Sequence, residues 1–148
     1  GQGGGTTGSG SNGSGTPVAG MIFFHNDQIG STNLMTNTAG EMVTGSNGAA
    51  NIVYNPYGDI DVDHSHGPDI LRHKFTGQQL DNESGLYYYN ARYYDPALGR
   101  FITADSVTDA GGDPDGMNAY MYAGGNPVRF NDPSGHIKSS QLKKFYPV

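Results

Sequence analysis

The chain has 148 residues, 24 of them glycine and none cysteine, with 34% hydrophobic side chains, 11% aromatics and a net charge of −6. That is one domain's length with few aliphatic side chains for a self-sufficient core, so aromatic rings have to supply much of the buried area. Eight Lys and Arg against 14 Asp and Glu argue against a phosphate-binding surface, and no nucleic-acid partner is expected. Absence of cysteine excludes a disulfide framework and a thiolate metal site, and no apolar stretch approaches the ~20 residues of a membrane-spanning helix, so no membrane insertion is expected.

Residues 1–20 form a Gly/Ser/Thr tail that composition alone reads as a flexible linker. Ordering such a tail costs roughly 1–2 kcal/mol per residue, and it has almost no apolar side chains to offset that. Backbone hydrogen bonds to an open sheet edge are the available gain, so the tail is expected to dock in trans on a neighbouring copy. Asn12 and Asn82 each open an Asn-x-Ser sequon, which matters only in a glycosylating host.

From Met21 the pattern becomes short strands punctuated by Gly, Asn and Asp. GMIFFHND reads as a strand into a turn. STNLMTNTAGEMVTG reads as a hairpin with Thr38-Ala39-Gly40 at its tip. NIVYNPYGDIDV is a strand broken at Asn55-Pro56, HKFTG is a short strand, and FITAD is another. The one helical candidate runs from Asp115 through Ala123 and closes at Gly124-Gly125. SSQLKKFY near the end fits either a short helix or an extended tail, and the basic cluster Lys138, Lys143 and Lys144 reads as a solvated end.

The run LYYYNARYY, Leu86–Tyr94, reads as the longest strand. An extended run would place Tyr87, Tyr89, Ala91 and Tyr93 on one face and Leu86, Tyr88, Asn90, Arg92 and Tyr94 on the other. Both faces are then aromatic, so the strand is expected to be central and covered on both sides, with Arg92 stacked on a ring. Tyr87, Tyr88, Tyr89, Tyr93, Tyr94 and Phe101 are the expected aromatic layer. Asp95-Pro96-Ala97-Leu98-Gly99 reads as a tight turn: Asp bonds its own backbone, Pro presets φ and Gly supplies φ > 0.

FHNDQIGSTNLMTNTAGEMV, YNPYGD, FTGQQLDNESGLYYYNARYYDPALGRFITAD and NAYMYAGGNPVRFNDPSG occur in this order, and together they resemble the RHS-repeat-associated core domain of RHS and YD-repeat proteins, relatives of the teneurins. The resemblance covers roughly Met21 to Gly135. It implies an all-β architecture of short antiparallel hairpins in an RHS/YD-type spiral sheet. In large members of that family the sheet closes into a hollow shell around a C-terminal toxin, and the core domain plugs one end. In some members the core also cuts the chain once, just beyond the DPxG motif, using aspartates. By motif position those are Asp105 and Asp132, with Arg100 as a structural or charge partner. The sequence departs from the family pattern at Ser106, where Pro is usual, and at His136, where Leu is frequent.

The resulting division is a tail over 1–20, a core β domain over 21–135 and a C-terminal tail over 136–148. Asp105 and Asp132 read either as an acid pair sharing one proton or as turn caps. Asp59, Asp61 and Asp63 alternate along GDIDVDHSHGPD, with His64 and His66 opposite; they are a candidate Ca²⁺ set, against the plainer reading of a solvated acidic loop. His25 more simply bonds a neighbouring turn than serves as a base, because no nucleophile elbow accompanies it.

The leading expectation is a non-enzymatic extracellular or cell-surface structural module without a cofactor. Its partners are copies of itself, joined by β-strand addition into a fibre or larger assembly. The first alternative is the plug and autoproteolytic core of an RHS polymorphic-toxin shell; the second is a calcium-dependent adhesive module.

Overall fold

The structure, a computed structural model, describes residues 20–107, 118–136 and 143–144. Apart from Gly20, the N-terminal tail expected to dock in trans lies outside the described residues, as does most of the C-terminal tail.

The described chain is built of short antiparallel strands. Strand β1 (Phe23–Asn26) pairs with β2 (Thr32–Thr36), Phe24 opposite Met35. Strands β3 (Thr44–Gly45) and β4 (Gly48–Ala49) form a minimal hairpin. A four-stranded meander follows in chain order: β5 (Gln79–Asp81), β6 (Leu86–Tyr89), β7 (Arg92–Asp95) and β8 (Arg100–Phe101). Strand β9 (Phe130–Asn131) pairs with β10 (Lys143–Lys144), so the C-terminal segment is extended at that point. Single bridges such as Leu34–Asn51, Asn51–His66 and Arg100–Met121 join these pieces.

The connections follow one chemical rule. An Asp or Asn side chain accepts hydrogen bonds from the backbone two to four residues on, a local alternative to ladder pairing. Asp27 Oδ1 takes the N–H of Ile29 and Ser31, Asn37 Oδ1 those of Ala39 and Glu41, and Asp95 Oδ1 those of Ala97 and Leu98. The turns expected at Thr38–Gly40 and Asp95–Gly99 are therefore present with that mechanism, and the chain turns at Asn55-Pro56 through the Gly58 N–H donated to the Asn55 carbonyl.

The tyrosine run departs from its expected form. It is two strands of four residues, β6 and β7, joined at Asn90-Ala91. Asn90 takes a left-handed conformation (φ 54°), which its short polar side chain tolerates, and its amide donates to the Pro133 carbonyl at 3.2 Å. The turn resets the register. Tyr87, Tyr89, Arg92 and Tyr94 now share the buried face, while Tyr88 and Tyr93 stand on the other face, 42% and 45% exposed, with ring centroids 5.2 Å apart. The expectation that both faces are covered is thus corrected, and Tyr88 and Tyr93 leave the buried layer.

That layer gains residues in their place. Phe75, Tyr87, Tyr89, Tyr94, Phe101 and Tyr122 form one core cluster, with Tyr54, Tyr57, Leu80 and Phe130 against it. Tyr94 and Tyr122 lie 4.4 Å apart between centroids, and Tyr89 meets Phe101 edge-on at 5.7 Å. The hydroxyls find partners, as buried phenols require: Tyr87 donates to the Gly58 carbonyl, Tyr94 to the Tyr57 carbonyl, and Tyr89 to the Tyr122 hydroxyl, with Thr76 Oγ1 at 2.7 Å from Tyr89. Phe75 arrives on a 3-10 turn (Phe75–Gly77) rather than on the strand expected from HKFTG, because Thr76 is left-handed at φ 49°. A smaller aliphatic cluster of Met35, Val43, Ala50 and Leu71 lies apart from it.

The helix expected near 115–124 does not form over its described part, 118–124. Asn118 Oδ1 accepts the Tyr120 N–H, Met121 bridges to Arg100, and Gly124 is left-handed within a 3-10 turn (Ala123–Gly125). The extended Tyr122 backbone that enters this turn carries its ring into the aromatic core.

Tyr89→Ala should destabilise the fold by about 3 kcal/mol or more, and Tyr88→Ala by less than about 1 kcal/mol. Urea unfolding of the two variants checks the difference; equal losses would mean that the exposed face is covered after all.

Candidate functional site

Three segments far apart in sequence converge beneath the aromatic layer. The first is the turn Asp132-Pro133-Ser134-Gly135. Asp132 Oδ1 accepts the N–H groups of Ser134 (3.3 Å), Gly135 (3.0 Å) and His136 (3.2 Å) and the Ser134 hydroxyl (3.1 Å). Gly135 is left-handed (φ 71°) and packs so closely on the Tyr89 carbonyl that a Cβ there would overlap it. The second segment follows β8: Asp105 donates its N–H to the Ala119 carbonyl, and its Oδ1 accepts the Val107 N–H at 2.9 Å. The third is β7, whose alternation turns Arg92 inward beside Tyr89 and Tyr94.

Arg92 joins them. Its guanidinium lies 3.7 Å from the Phe101 ring centroid. Nε donates to the Gly135 carbonyl and Nη1 to the Ala119 carbonyl at 2.8 Å. Nη2 lies 3.2 Å from Asp105 Oδ2 and 3.7 Å from Asp132 Oδ2. All three ionic side chains are at most 3% exposed. His136 completes the group from the solvent side, its Nδ1 2.8 Å from Asp105 Oδ1.

The electrostatics separate the members. Burial raises the Asp132 carboxyl above its ordinary value, against the opposing pull of Ser134 and Arg92. Its Oδ2 is buried and accepts no hydrogen bond from the described residues. Burial pulls Arg92 downward, opposed by Asp105 and Asp132. The result is an acid that holds its proton more firmly than a free aspartic acid, next to a second carboxyl tied to a cation. Such a pair can deliver and remove a proton at one place.

The sequence named Asp105 and Asp132, and the structure brings them together. It does not bring Arg100, which is exposed on β8 opposite Asp95 and bridged to Met121. The guanidinium in the site is Arg92, eight positions earlier, because β7 and not β8 has its Arg on the buried face. The signal for Arg92 was its place among tyrosines; nothing in the pattern pointed to the contact of His136 with Asp105. The other cluster disperses. Asp59 takes the Asn55 side chain, Asp61 takes His64 at 2.8 Å, and among the described residues no three acidic or imidazole groups could hold a metal ion.

Arg92→Met should cost about 3–5 kcal/mol, since it leaves two buried carboxyls without their cation, whereas Arg100→Met should cost under about 0.5 kcal/mol; urea unfolding separates them. The pH dependence follows from Asp132. Its folded value is raised, so the folded chain holds a proton that the unfolded chain releases. This contribution to stability is fully present below the unfolded value, near 3.9, and is lost as pH rises through the folded one. Asp132→Asn should flatten that decline in a urea series across pH.

With this geometry, comparison with known proteins is specific. The family model for the teneurin YD-shell matches residues 20–128. Double-stranded DNA deaminase toxin A of Burkholderia cenocepacia is 34% identical over 129 residues, covering 84% of this chain and 8% of that protein. tRNA nuclease WapA of Bacillus subtilis is 45% identical over 65 residues, 44% of this chain and 3% of that one. The crystal structure of TcdB2–TccC3–Cdc42 superposes with a TM-score of 0.64 at 27% identity, over 78% of this chain and 5% of that chain. The chain thus spans less than a tenth of these relatives. The all-β hairpins, the aromatic layer and the family match agree: the chain belongs to the teneurin YD-shell family.

Proposed function

We propose that this domain is the terminal plug of a secreted YD-repeat shell and that its Asp105–Asp132 pair cuts its own chain once, just beyond Gly135. The observation that carries the second half is the buried Asp132 Oδ2, which accepts no hydrogen bond from the described residues, beside Asp105 and Arg92 and against the DPSG turn. The toxin name of the Burkholderia cenocepacia relative supports the first half.

The reaction is hydrolysis of the peptide bond on the C-terminal side of His136. Asp132 gives its proton to the carbonyl oxygen while Asp105 takes one from the attacking water. As the C–N bond breaks, Asp105 passes the proton it took from water to the leaving nitrogen, Asp132 recovers its proton from the diol, and His136 ends as a new carboxyl group. Arg92 offsets the charge on both carboxyls and fixes the turn through the Gly135 carbonyl. The site serves its own chain: turnover ends after one cut, and no external substrate is implied.

The plug reading also gives strand addition a role. Phe23 and Phe24 are both about half exposed, on opposite faces of β1, and among the described residues β1 pairs only with β2. We place the continuation of the shell sheet at that open edge. This uses the edge within one polypeptide and requires no fibre of copies.

Intact mass spectrometry of the purified chain over days is the test. A fragment ending at His136 should accumulate in the parent and be absent from Asp132→Asn. A chain that stays whole, or is cut equally in Asp132→Asn, would exclude the aspartate pair.

A further inference from the structure

His136 departs from the family pattern, and it lies at the cut itself. The reaction proposed above needs an Asp105 oxygen with room for water. Asp105 is buried, and the partner that stands between it and solvent is the partly exposed His136. Asp105 Oδ1 is occupied by the Val107 N–H at 2.9 Å and His136 Nδ1 at 2.8 Å, and Oδ2 faces Arg92 Nη2 at 3.2 Å. The backbone donor and the buried guanidinium are fixed by the fold. His136 is not: its side chain is 32% exposed, against 2% for Asp105. It is the one partner of these three that can leave by a side-chain rotation. Its backbone is held separately, by Asp132 Oδ1 and Ser134 Oγ at 3.2 Å each, so the ring can move while the turn stays.

We propose that the His136 imidazole is a latch on Asp105: docked, it fills the oxygen that water needs and holds the chain uncut; swung out, it opens the site. This rests on the self-cleavage reading. The latch is a property of this chain, since a leucine at that position has no donor to offer Asp105. Facing a carboxylate oxygen, Nδ1 has to carry the proton, so the docked ring is either the Nδ1–H tautomer or the doubly protonated form. The charged groups around it are Asp105, Arg92 and Asp132, and the ring's outer edge meets solvent. Ligands or partners that draw the ring outward would start the cut without touching either aspartate.

The experiment compares cleavage rates of the parent, His136→Leu, His136→Asn and His136→Leu/Asp132→Asn by intact mass, with far-ultraviolet circular dichroism confirming the fold. ¹⁵N imidazole spectra of the parent are recorded in parallel. His136→Leu should cut at least ~10-fold faster than the parent, a difference of about 1.4 kcal/mol in barrier. His136→Asn, whose amide places a donor near the Nδ1 position, should stay slow, and the double variant should not cut. The imidazole spectrum should show a proton on Nδ1. Asp132-dependent cleavage with His136→Leu no faster than the parent would overturn the latch alone, as would a ring found in the Nε2–H tautomer. A proton on Nδ1 with no cleavage in any variant would instead overturn the self-cleavage reading, and the latch with it.

Discussion

The described fold depends on one buried guanidinium. Arg92 contacts the carbonyls of Ala119 and Gly135, the carboxyls of Asp105 and Asp132, and the face of Phe101. This cation ties the meander to the two segments that lie against it, alongside the ring contacts of Tyr122. Withdrawing it from water is expensive, and its partners recover that cost only when the geometry is closed on all sides. Lysine could not replace it: one ammonium cannot span two carbonyls and two carboxyls while stacking on a ring.

The same constraint explains why the candidate chemistry sits where it does. A chain with few aliphatic residues builds its core from tyrosine, and every buried phenol needs an acceptor or a donor. The backbone carbonyls of the turns supply two of them, at Gly58 and Tyr57. The turns are therefore drawn against the core instead of extending into solvent. The DPSG turn is drawn in to contact with the Tyr89 carbonyl, and it takes Asp132 below the surface with it. The raised pKa of Asp132 is thus a consequence of how the core is made. Glycine at 135 permits the approach, which a Cβ would block.

Much of this was legible in the residues. Asx turns announce themselves locally, since the accepting side chain and the donating backbone lie within a few positions of each other; hence Thr38–Gly40 and Asp95–Gly99 were found. The two motif aspartates were found through resemblance. What failed were the features decided at long range. Nothing local distinguishes LYYYNARYY as one strand from the same letters as a hairpin, because Asn90-Ala91 lacks the glycine that usually marks a two-residue turn. That one ambiguity moved Arg92, Tyr93 and Tyr94 to the wrong faces and hid Arg92's role. Asn118–Gly124 has the composition of a helix end, but Tyr122 is needed in the core, and burial of its ring outweighs local propensity. Arg100 was named from motif position, but on β8 it is Phe101 that faces the core and Arg100 that faces out.

The tyrosine core also sets an upper boundary on the conditions the domain tolerates. Burial raises the phenols of Tyr54, Tyr87, Tyr89 and Tyr94 well above their ordinary value, and Tyr122 to about 12. A phenol held above its unfolded value contributes stability that is whole below about pH 10 and drains away as the medium becomes more alkaline. A phenylalanine core would be indifferent to alkali; this one dissolves in it. Five linked phenols give the loss a steepness that no single group has, and ionisation of each is visible in the ultraviolet. The layer that encloses the site is therefore also a built-in optical gauge of its own integrity, in a chain that contains no tryptophan.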